Sequence, residues 1–112
     1  MGVILTDPFL RMLAARLQAI AEPTRIRLLT ALEQREATVQ ELTDELATTH
    51  QNVSKHLNVL YRAGLVGRTR TGNRVCYALA DYSACRLIEQ ATASLTGYVE
   101  ELATIAELDS AA

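Results

Sequence analysis

Between Leu46 and Ala80 the sequence contains no aspartate or glutamate, although the whole chain carries 13 acidic residues against 11 lysines and arginines. Lys55, Arg62, Arg68, Arg70 and Arg74 fall inside that window, and all the acids lie outside it in a chain of formal net charge −2. Other absences narrow the class. Glycine and proline are scarce, aromatic residues make up only 4%, and leucine and alanine dominate, a composition that favours helices. No apolar run approaches the roughly 20 residues of a membrane span. The opening MGVILTDPFLRM is too short and too soon charged for a secretory signal, so the cytoplasm is the expected address. Two cysteines nine positions apart make no disulfide framework. There is no phosphate-binding loop or paired-acid motif, and nothing marks Cys76 or Cys85 with His56 as a nucleophile and base, so no enzyme is expected. What remains is a folded chain of 112 residues, read as one domain of a size that often gains stability from a partner subunit.

The periodicity predicts a mainly α fold with a small β-hairpin. Thr6-Asp7-Pro8 opens a first helix, in which Phe9, Met12, Leu13, Arg16, Leu17 and Ile20 keep helical spacing. Pro23 ends it and opens a second, with Ile26, Leu29 and either Ala31 or Leu32 as the buried stripe, followed by a polar connection over residues 33–36. Val39, Leu42 and Leu46 mark a short third helix. Thr49 caps a fourth that runs to about Ala63, with Gly64 at its end. Val75, Tyr77 and Leu79 then alternate as a half-buried strand, paired through a Gly72-Asn73 turn with a strand beginning at Leu65-Val66. Asp81 or Ser83 can cap the last helix, whose stripe of Leu87, Ala91, Leu95, Tyr98, Leu102 and Ile105 needs something to pack on and reads as a subunit interface.

At 100° per residue, Val53, Leu57 and Leu60 share the core face of the fourth helix. Gln51, Lys55, Asn58 and Arg62 share the opposite face, with Asn52 beside them. Lys55 and Arg62 can neutralise phosphates, while Gln51 and Asn52 carry the paired donor and acceptor that match an adenine edge in the major groove. Two short helices joined by a tight turn, the second polar outward, have helix-turn-helix geometry. Arg68, Arg70 and Arg74 on the hairpin can reach an adjacent backbone or minor groove. The missing acids then have a reason, since a carboxylate near a phosphate would cancel part of what each cation contributes.

These segments, AEPTRIRLLTAL, NVSKHLNVLYRAGLV and GNRVCYAL, resemble in order and spacing those of the ArsR/SmtB family of bacterial winged helix-turn-helix repressors. The resemblance covers roughly residues 10–100. It implies a homodimer built from the first and last helices (1–21 and 82–108), with Leu13 and Leu17 joining Leu87, Ala91, Leu95, Tyr98 and Leu102 in the interface. It also implies helix-turn-helix elements over 39–63, a wing over 65–80, and an inverted-repeat double-stranded DNA operator. An inducer, a metal ion or another small molecule, would weaken binding and release transcription. The expected DNA-contacting set is Thr49, His50, Gln51, Asn52, Ser54, Lys55, Asn58, Arg62, Arg68, Arg70 and Arg74. The chain departs from the family at Ala47, where glycine is frequent, and at Thr48, where an apolar residue is frequent. The family's metal positions also differ: Thr38-Val39-Gln40 replaces a Cys-Val-Cys-like pattern, and Asp81 is kept while Ser83, Ser94 and Gly97 stand at the other ligand positions.

Cys76 and Cys85 are read either as small apolar fillers or as a redox or thiophilic-metal sensor, with Cys85, in the first turn of a helix, the more reactive of the two. His50 and His56 serve DNA contact or helix packing, or one of them joins carboxylates around nickel or zinc. A winged helix used only for protein–protein contact is the other class. Salt-dependent DNA binding separates it from a repressor.

Overall fold

In the computed structural model, which describes residues 5–111, the elements follow in the order α1 (Asp7–Ile20), α2 (Pro23–Gln34), β1 (Ala37–Thr38), α3 (Val39–Leu46), α4 (His50–Arg62), β2 (Val66–Thr71), β3 (Arg74–Leu79) and α5 (Ser83–Ala111). Residues 1–4 of the expected first helix and residue 112 of the expected domain lie outside the described residues. Local chemistry explains the starts. Thr6 Oγ1 accepts the Phe9 N–H at 3.3 Å, and Pro8 sits in the first turn, where no N–H is needed. Pro23 opens α2 in the same way, capped by the Glu22 carboxylate accepting the Arg25 N–H at 2.9 Å. Thr38 and Glu41 form a reciprocal capping box on α3, and Thr49 Oγ1 accepts the Asn52 N–H at 3.1 Å to start α4.

The core lies where α2, α3, α4 and the sheet meet, around the fully buried Leu28, Leu29, Leu42, Val53, Leu57, Leu60 and Leu65. The expected α2 stripe needs correction. Leu28, Leu29 and Leu32 are buried, while Ile26 and Ala31 are only half-buried at the edge of the core. α2 is packed by α3 and α4 as well as by β3 and the start of α5, so its buried arc is wider than one stripe and takes in two successive leucines.

The hairpin is as the turn residues predict: β2 and β3 pair antiparallel from Val66↔Leu79 to Thr71↔Arg74, and Gly72 adopts φ 64°. The sheet, however, has three strands in the order β1-β3-β2, with Ala37 opposite Tyr77 and Thr38 opposite Cys76. A two-residue strand between two helices leaves no period to read. β3 is therefore central. Its residues Val75 to Ala78 are all half-buried rather than alternating.

Two arginines tie the helices together. Arg16 donates from Nη1 to the Ala63 carbonyl (2.8 Å) and from Nη2 to Asp81 (2.5 Å), so α1 is fastened to the end of α4 and the start of α5. Arg25 donates from Nε to the Ala19 carbonyl (2.6 Å) and from Nη2 to the Gln18 carbonyl (3.1 Å). Asp81 also receives the Ser83 N–H and hydroxyl. Those bonds, and then Arg16, hold its carboxyl down at about 2. In α5 only Ala84, Cys85 and Ile88 pack on the core, and every residue from Glu89 to Ser110 is exposed. Among the described residues no helix is long and apolar enough to cross a membrane.

Candidate nucleic-acid interface

α3 packs Leu42 and Leu46 against the core face of α4, and the turn between them is built from Ala47, Thr48 and Thr49. Ala47 takes the left-handed conformation (φ 52°, ψ 47°) that reverses the chain, the geometry glycine serves at lower cost. Arg27 Nη2 donates to the Leu46 carbonyl at 3.2 Å, closing the end of α3. With Val53, Leu57 and Leu60 fully buried, the other face of α4 is turned outward, and Gln51, Lys55, Asn58 and Arg62 are all exposed on it.

The other expected contacts are placed unequally. Thr49 and His50 are exposed at the start of α4, with the Thr49 hydroxyl engaged in the cap. Asn52 is half-buried, and its side-chain amide donates to Thr48 Oγ1 at 3.2 Å, so a base edge would have to compete with the turn for it. Ser54 is half-buried. On the wing, the Arg68 guanidinium lies 4.1 Å from the Tyr61 ring centroid, a cation–π contact that props β2 against the end of α4. Arg70 Nε donates to the Gly72 carbonyl at 3.3 Å across the tip. Arg74 donates to Cys76 Sγ (3.4 Å) and to Glu41 Oε1 (3.3 Å). The window free of acids in sequence is therefore met in space by a carboxylate from α3. Sequence spacing could have flagged Glu41, since Thr38-x-x-Glu41 before Leu42 is a capping-box pattern. It carried no signal for the wing contact.

His56 is a packing residue, 6% exposed. Its Nδ1 accepts from Arg25 Nη1 at 3.1 Å, and since a guanidinium only donates, the ring is neutral with its proton on Nε2. Burial first, then the Arg25 and Lys55 charges, push its pKa below the ordinary value and outweigh the opposing pull of Glu22, 3.6 Å away. Cys85 follows the filler reading rather than the reactive one. It is buried, with Sγ against the Leu29 carbonyl, and burial together with Glu33 and Glu89 pushes the thiol up rather than down. Cys76 faces Arg74 instead, and both cysteines are free thiols.

Comparison with known proteins agrees with this geometry. A helix-turn-helix domain family model matches residues 20–68. The HTH-type transcriptional repressor SmtB of Mycobacterium tuberculosis is 38% identical over 77 residues, 69% of this chain and 57% of that protein. The chain thus spans little more than half the length of that relative. The HTH-type transcriptional regulator Rv0081 of M. tuberculosis is 30% identical over 91% of this chain and 90% of its own. Its crystal structure superposes with a TM-score of 0.75 at 31% identity, covering 86% of this chain and 97% of that one. The homodimeric winged helix-turn-helix DNA-binding domain of Mb0332 from Mycobacterium bovis, 24% identical, shares the fold, with a TM-score of 0.74 over 89% of this chain and 95% of that one. The chain belongs to the ArsR/SmtB family of winged helix-turn-helix regulators, a family and fold of DNA-binding transcriptional regulators rather than enzymes.

The family's familiar metal positions do not fit a transition metal in this chain. Thr38, Val39 and Gln40 offer no thiolate or imidazole, and the Asp81 carboxylate is committed to Arg16 and Ser83. His56 presents its Nδ1 to an arginine. Among the described residues no three histidine, cysteine or acidic side chains cluster as a metal site would require.

Proposed function

We propose that the protein is a cytoplasmic transcriptional repressor that binds an inverted-repeat, double-stranded operator as a homodimer and leaves it when an inducer binds. The observation that carries this reading is the outward face of α4, where Gln51, Lys55, Asn58 and Arg62 stand exposed in a row above a fully buried apolar face. Lys55 and Arg62 are suited to phosphates and Gln51 to a base edge, with Asn52 available once it leaves Thr48. Arg68 and Arg70 supply charge from the wing. The dimer reading rests on apolar side chains left uncovered on α1 and α5: Leu13, Leu17, Leu87, Leu95, Tyr98 and Leu102 are each at least 40% exposed. Between those helices and α2 runs an apolar groove of roughly 420 Å³, lined by Leu17, Ile20, Leu87, Ala91 and Leu95 among others, which suits a second copy of the same surface. A two-fold dimer would set its α4 helices on half-sites about 34–36 Å apart, one turn of DNA.

Fluorescence anisotropy on the DNA upstream of the protein's own coding region tests the reading. Lys55→Ala should weaken binding to every sequence and lower the salt slope by about one unit. Gln51→Ala should cost about 1–3 kcal/mol on the preferred site and relax its specificity. Binding untouched by both changes would place the reading head elsewhere, and salt-independent association would favour a protein–protein module.

A further inference from the structure

The first turn of α3 and the wing meet at one carboxylate. Glu41 Oε1 accepts the Thr38 N–H (2.9 Å) and an Arg74 N–H (3.3 Å), and Oε2 lies 3.5 Å from Arg35 Nη1. Beside this cluster an open groove of roughly 580 Å³ runs from His50, at the start of α4, to Thr71, Asn73 and Arg74 at the wing tip, with Thr38 and Gln40 along its base. None of the residues lining the groove is acidic, and Glu41 follows Gln40 directly in the chain. The groove thus joins the two parts of the molecule that carry the basic residues, and the guanidinium at its rim is already paired.

We propose that Glu41 tunes DNA affinity: in the free protein it occupies the Arg74 guanidinium in place of a backbone phosphate, and DNA entering the groove must take Arg74 from it. This rests on the DNA-binding reading above. The cap itself does not require the charge, because a glutamine at the third helical position also completes a capping box. The carboxylate therefore has an effect that its structural task leaves unexplained. The Arg74 and Glu41 side chains are 62% and 39% exposed, so the ion pair is weak and exchangeable rather than a lock. Exchange still has a cost. Arg74 arrives already neutralised, and the carboxylate it leaves behind stands close to the incoming phosphate. Glu41 is a positioning and tuning residue that acts through Arg74, not a DNA contact.

The test is a double-mutant cycle of Glu41→Gln, Arg74→Gln and the pair, titrated by anisotropy over a salt series. The probes are the upstream duplex and an unrelated-sequence duplex of equal length. Glu41→Gln should tighten both complexes about three-fold or more, because Arg74 no longer has to be taken from a carboxylate and no freed carboxylate is left beside the phosphate. Arg74→Gln alone should cost less than Lys55→Ala, and in the double variant the gain from Glu41→Gln should disappear. Thermal unfolding of Glu41→Gln should fall slightly below the parent, because the cap is retained while the exposed ion pairs to Arg35 and Arg74 are lost. Weaker or unchanged binding by Glu41→Gln overturns the proposal, as does a gain that persists without Arg74 or a loss from Arg74→Gln as large as that from Lys55→Ala. If the parent protein binds neither duplex at low salt, the DNA-binding reading itself falls, an outcome distinct from a cycle that fails on a protein that binds.

Discussion

His56 and Arg25 show how a side chain's task can be set by a partner far away in sequence. His56 sits on the reading helix, yet its ring is buried and accepts from Arg25, 31 positions earlier. A neutral buried histidine with a lowered pKa makes the folded state bind fewer protons than the unfolded chain. Its contribution is complete above the unfolded value of about 6.5 and is lost as the pH falls through that value towards the lower folded one. The parent should therefore lose stability between pH 7.5 and 5.5, by at most about 1.4 kcal/mol per pH unit. His56→Gln, which keeps an acceptor for Arg25, should show a shallower fall. Urea midpoints at the two pH values, at fixed protein concentration, measure this, and equal losses in parent and variant would assign the pH dependence to other groups. The apolar and outward positions of α4 were legible because 3.6-residue periodicity is local. Arg16 was legible only as a member of a helical stripe. Its bonds to Ala63 and Asp81, 47 and 65 positions away, leave no trace in spacing. Cys85 admitted two readings because its position in the first turn of a helix was visible and its burial was not.

Among the elements, the helix starts were plain wherever a hydroxyl residue or proline stood at the boundary, as at Thr6, Pro23 and Thr49. The strand Ala37–Thr38 was not, since its pairing with β3 comes from the tertiary fold rather than from two residues of sequence. Among the described residues, the turn between α3 and α4 holds the one non-glycine residue with a positive φ, Ala47. Ala47 pays the left-handed steric penalty that a glycine avoids. Ala47→Gly should stabilise the fold by about 1 kcal/mol, the relief in the folded state exceeding the extra freedom of the unfolded chain. The check is a higher urea midpoint with an unchanged m-value and unchanged DNA affinity. A lower midpoint would mean that the turn does not take this conformation in solution.

At the scale of the molecule, the long apolar stripe of α5 was legible as something requiring cover, and every one of its residues beyond Ile88 is exposed in the single chain. If two copies meet over α1 and α5, Leu95→Glu places a charge in the apolar groove between α1, α2 and α5, where burial would be costly. Sedimentation velocity should then find monomers, with operator affinity lower by about a hundredfold because two linked half-site contacts become one. A variant that remains dimeric would move the interface off the last helix. Arg16 gives that arrangement a mechanical meaning. One guanidinium fastens α1 to the last carbonyl-bearing turn of α4 and to the root of α5. The reading helix is thus a spoke fixed to the hub. With α1 and α5 as the hub, any change in how two hubs meet would be transmitted to the spokes as a change in their separation, with no need for α4 itself to bend.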